Sequence, residues 1–139
     1  MLRRFLAGSA IASVGIACAA FTVWLIPGMP WQRAYPLALA WCFAPLGWGI
    51  WAMLAPSSAV PERLPAWGAL LGLIAGTFAL LVVNLPSRVL GQTVPAMLRG
   101  VGVIAVMVLY YFLWMLVRAV YRAIAPAEPA APKSRIPAA

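Results

Sequence analysis

Few residues in this 139-residue chain could do chemistry, and they do not gather in the sequence. The acids are Glu62 and Glu128, and there is no aspartate or histidine. Neither acid lies in an apolar run, so no general base suited to neutral pH is placed at membrane depth. Histidine ligation of haem or metal is excluded on the same residues. Cys18 and Cys42 stand singly in apolar stretches, with no CxxC spacing, and read as small packing residues. Phosphate-loop, nucleophile-elbow and dinucleotide patterns are all missing. No catalytic, cofactor-binding or metal-binding residue is assigned, no cofactor is implied, and the chain is not read as an enzyme.

Charge is the other source of chemistry. Ten basic residues and two acids give a net charge of +8. The basic residues sit at the ends of apolar runs and form no stripe, which excludes a nucleic-acid partner and points to a bilayer with anionic headgroups. Two polar groupings stand out. Asn84, Arg88, Gln92 and Arg99 surround a segment with interspersed apolar residues, and form a candidate polar mouth beside a helix end. A short interfacial helix would fit there, limited by Pro95. Tyr111, Trp114, Arg118, Tyr121 and Arg122 recur at intervals of three and four, so one helix face should carry them as an interfacial anchor.

The elements that position these residues follow from the apolar runs. Hydrophobic residues make up 65% of the chain and charged residues 9%, against about a quarter charged in an ordinary soluble domain. A chain this short cannot bury that surplus in one soluble core, so lipid must cover it. The runs approach the ~20 residues that a spanning helix needs. The expected fold is an all-α integral membrane protein with transmembrane helices at about 5–26, 35–54, 66–84 and 100–122. Residues 1–124 form this domain, and 125–139 are a disordered Pro/Ala-rich tail.

The first run is too long for the ~7–15 residue core of a secretory signal, so it is read as an uncleaved span. Pro27 to Arg33 is a tight connection, bracketed by Trp24 and Trp31 at the interface. Pro45 lies near the middle of the second span and predicts a bend. Ala55 to Pro65 is the clearest loop. Its three prolines speak against regular structure, and Glu62 stands beside Arg63.

Gly68, Gly72 and Gly76 recur every fourth residue in the third span. Small residues at that spacing let another helix backbone approach closely, so these glycines are the expected packing spine. That span also has few aromatics, which makes it the expected centre of the bundle.

Four spans joined by short loops favour an up-down antiparallel bundle with both termini on one side. That side holds Arg3, Arg4, Arg63, Arg118, Arg122, Lys133 and Arg135, and the other holds Arg33, Arg88 and Arg99. The excess places both termini in the cytoplasm. Frequent arginine, alanine and proline suggest a bacterium with a GC-rich genome, and so the inner membrane. Two roles suit the composition. One is a non-catalytic accessory or structural subunit packed against a larger membrane complex or against itself. The other is a small homo-oligomeric transporter or channel for an apolar or anionic solute, without an intramembrane acidic coupling residue. An enzyme acting on lipid phosphate through the Arg88–Arg99 loop lacks a base.

Overall fold

The computed structural model describes residues 1–25 and 31–124, and within these the side chains of 23, 24, 31–40, 89 and 90 are not described. The connection at 26–30 and the tail at 125–139 lie outside the described residues, as do the side chains of Trp24 and Trp31. The described chain is all helical. Helices α1 (Leu2–Trp24) and α2 (Trp31–Leu54) are followed by α3 (Leu64–Gly76), a π-helical turn (Thr77–Val82), the short α4 (Leu85–Leu90) and the long α5 (Ala96–Ile124). Among the described residues, three stretches are long and apolar enough to cross a bilayer: Leu2–Thr22, Leu64–Val82 and Ala96–Ile124. A shorter apolar helical stretch covers Trp41–Leu54 in α2.

Local sequence explains where the elements begin and end. Pro65 and Pro86 sit in the first turns of α3 and α4, where a missing N–H costs nothing. Asn84 (φ 53°) and Gly91 (φ 68°) take left-handed backbone on either side of α4, and only residues tolerant of that region fit there. The Ser87 hydroxyl donates to Asn84 Oδ1 at 2.8 Å, and the Val94 N–H donates to Ser87 Oγ at 3.0 Å, which folds the α4–α5 connection back on itself. Past Gly76 the helix widens, and the Val83 N–H donates to the carbonyl of Phe78 at 2.9 Å. The 55–65 segment is not wholly irregular. Pro56 opens a single 3-10 turn, Ser57–Ala59, closed by the Ala59 N–H on the Pro56 carbonyl at 2.8 Å.

Two helix pairs build the structure. In the first, α1 and α2 notch together at two glycines. A Cβ on Gly8 would lie 2.8 Å from the Trp48 carbonyl oxygen, and one on Gly49 would lie 2.5 Å from the Phe5 ring. The Ser9 hydroxyl donates to the carbonyl of Pro45 at 2.8 Å, and α2 continues through that proline to Leu54. In the second pair, α3 lies along α5 with its glycines facing inward. Helix α5 also packs on α1. The shared core includes Ala7, Trp48, Leu64, Trp114 and Val117. Helix α5 packs on both α3 and α1, and its Tyr110 and Trp114 rings meet Trp48 of α2. Glycines make α3 thin enough to lie against α5 with its large side chains.

Candidate functional site

The interior of the described bundle is built from glycines and large rings. Gly68 faces Trp114 so closely that a Cβ there would sit 2.0 Å from the ring's Cγ. At Gly72 it would meet Tyr110 Cβ at 2.7 Å, and at Gly76 it would meet Val106 Cβ at 3.3 Å. The three glycines thus meet residues 114, 110 and 106 in reverse order, one helical turn apart. Trp48 of α2 completes the cluster, with ring centroids 5.0 Å from Tyr110 and 5.7 Å from Trp114. Beside it, Trp51 and Trp67 stack at 4.8 Å with planes 19° apart. No polar or charged side chain is buried among the described residues.

Trp114 does not belong to an interfacial face. It is 0% exposed, whereas Tyr111, one residue along from Tyr110, is 43% exposed and meets Phe112 edge-on at 5.8 Å. The reason is space: the missing side chain of Gly68 leaves a slot that Trp114 fills. The Trp114 Nε1 donor is enclosed there without an acceptor. Spacing in one helix cannot separate a lipid-facing ring from a core ring, because both suit an apolar setting.

The polar residues converge at one end of the bundle. Glu62 in the loop between α2 and α3 pairs with Arg118, at 3.6 Å, and with Arg122. The two arginines are one helical turn apart on α5 and hold the carboxylate between them. Sequence adjacency suggests Arg63 as the partner of Glu62, but the pairing is made 60 residues away. On the far side of the same end, the Arg4 Nη1 donates to the carbonyl of Ala55 at 2.8 Å. That carbonyl lies just past the end of α2, where helices leave acceptors unsatisfied. An open cavity of about 380 Å³ lies at the start of α1, lined by Met1, Leu2, Arg3, Arg4 and Tyr121. This grouping was not visible in the sequence. Arg3 and Arg4 lie more than a hundred residues from Tyr121, and their meeting depends on α1 starting where α5 ends.

The four residues of the expected polar mouth are not joined. Asn84 is half-buried and committed to Ser87, while Arg88 and Gln92 are exposed. Arg99 is partly covered in the first turn of α5, with its Nε enclosed and unpaired. The Arg88 N–H donates to the Asn84 carbonyl at 3.3 Å as part of the α4 backbone, but no side-chain hydrogen bond or ion pair links any two of the four among the described residues. Cys18 and Cys42 are exposed and free. No cluster of three or more His, Cys, Asp or Glu side chains forms among the described residues.

The arrangement can therefore attract and hold an anion at one end and pack tightly in the middle. Among the described residues no nucleophile is hydrogen-bonded to a base. No protein-family model, curated protein or solved structure matches this chain.

Proposed function

We propose that this chain is a non-catalytic accessory or structural subunit of a larger assembly in a bacterial inner membrane. The observation that carries the reading is the filled interior. Trp114, wholly buried against Gly68, and Trp48 with Tyr110 occupy the space where a solute path through one copy would run. A chain with a packed middle acts through its outer surface. That surface presents large apolar side chains such as Val14, Phe21, Phe43, Ile104, Val108 and Phe112, suited to lipid or to neighbouring helices.

In this reading the four helices form an up-down antiparallel bundle with both termini in the cytoplasm. The convergence of Arg4, Glu62, Arg118 and Arg122 at one end supports it, because that end then carries the greater share of positive charge. The partners are an anionic bilayer and other membrane subunits, or further copies of the chain. A transporter built from this chain would need its path between copies.

Blue native electrophoresis of the tagged chain in mild detergent, from its own host, tests the proposal. The expected result is migration in a complex with co-purifying membrane proteins. A lone small species would overturn it. A ladder of the chain alone that supports solute flux in proteoliposomes would replace it with the transporter reading.

A further inference from the structure

The cavity at the start of α1 has a lining suited to one class of ligand. Arg3 and Arg4 bring two guanidinium groups, and Tyr121 brings a phenol from the last turns of α5. Met1 and Leu2 complete the lining and are 88% and 70% exposed, so the cavity is open to its surroundings. The side chains lining it include no acid. Two arginines nearby, Arg118 and Arg122, are already engaged by Glu62. The Arg3 side chain has no hydrogen bond or ion pair among the described residues, and the Arg4 guanidinium uses one N–H on Ala55 and keeps its others. The Tyr121 hydroxyl likewise has no partner among the described residues. The cavity is thus a cluster of unspent donors, two of them cationic forks, at the level where the apolar run from Phe5 begins.

We infer that this cavity binds a phosphate group, carried in the bilayer by the headgroup of an anionic phospholipid. Guanidinium forks match two phosphate oxygens at once, and a third oxygen can accept from the Tyr121 hydroxyl. The positive end of α1 adds to the attraction. Leu2 and Met1 then border the first acyl carbons. The site differs from general attraction to an anionic surface. It names one pocket between the first turn of one helix and the last turns of another, and it stands whether or not the chain joins a larger assembly.

Native mass spectrometry of the full chain in detergent tests this with added phosphatidylglycerol, phosphatidylcholine or inorganic phosphate. One phosphatidylglycerol should be retained in preference to phosphatidylcholine, and inorganic phosphate should not displace it. Arg3→Gln should lower retention about tenfold, as expected for losing a charge-assisted hydrogen bond, and Tyr121→Phe should lower it by less. Arg122→Gln removes the same charge outside the cavity and should leave retention unchanged. Arg3 is exposed and holds nothing in the fold, so its variant should elute as the parent does. Equal losses in Arg3→Gln and Arg122→Gln would overturn the site in favour of net charge. Equal retention of phosphatidylcholine would overturn it as well. Binding of inorganic phosphate that depends on Arg3, with no lipid retained, would keep the phosphate site and overturn its lipid source.

Discussion

Trp51 and Trp67 each donate the indole N–H to the other's backbone carbonyl, at 3.0 and 2.9 Å, with their rings stacked between. The exchange ties the last turns of α2 to the first turn of α3 across the proline-rich loop. It also satisfies both indole donors in an apolar setting, where an unpaired N–H is costly. Either single replacement by phenylalanine should destabilise the chain by about 1–2 kcal/mol, from one part-buried hydrogen bond and part of a stack. Because the rings share one contact, the double variant should lose less than the sum. Unfolding equilibria in mixed micelles would read the three values, and strict additivity would count against a coupled pair.

The glycine contacts predict a graded series. Gly68→Ala places a Cβ 2.0 Å from Trp114, Gly72→Ala places one 2.7 Å from Tyr110, and Gly76→Ala places one 3.3 Å from Val106. The first two should cost about 1–3 kcal/mol, as overpacked cores do, and the third less. Gly15 and Gly100 face open space, so alanine there should be neutral or gain up to about 1 kcal/mol. Gly72→Leu should prevent normal assembly. Size-exclusion profiles in mild detergent would rank the series. A Gly68→Ala variant as well behaved as Gly100→Ala would refute the close approach.

Glu62 should matter less than its two arginine partners suggest. Its side chain is 68% exposed, so solvent screens both pairs. Glu62→Gln should cost under about 1 kcal/mol at low salt. The difference should vanish near 1 M salt, where the Debye length falls to about 3 Å. Thermal unfolding of parent and variant at two salt concentrations would show it. A loss that persists in high salt would mean that Glu62 holds the loop by something other than charge.

Parts of this structure are legible in the sequence, and the reasons are physical. Apolar run length is a direct consequence of bilayer thickness, so three long apolar helices can be anticipated from residues alone. Glycines at every fourth position identify a thin helix face, because 3.6 residues make a turn. What those glycines meet is not legible. Trp114 and Tyr111 differ in burial only because one points at Gly68 and the other away, and that depends on how α5 is rotated against α3. The Glu62 pairing and the Arg3–Arg4–Tyr121 cavity depend on which helix ends coincide, a property of the assembled bundle that no local pattern encodes.

Trp114 offers the sharpest separation between filling space and making a hydrogen bond. Its ring is fully enclosed, yet its Nε1 donor finds no acceptor. Phenylalanine keeps most of the ring and deletes the unpaired donor. Removing the donor should recover about 1–3 kcal/mol and offset most of the lost packing, leaving Trp114→Phe within about 1 kcal/mol of the parent. Trp114→Ala empties the slot over Gly68 and should cost about 3–5 kcal/mol. The slot can then accept a side chain from the other wall, so Gly68→Ala should cost less in the Trp114→Ala background than alone. Four unfolding curves complete this cycle. If Trp114→Phe proves as damaging as Trp114→Ala, the indole N–H has an acceptor in the folded protein, and the donor rather than the volume accounts for tryptophan at that position.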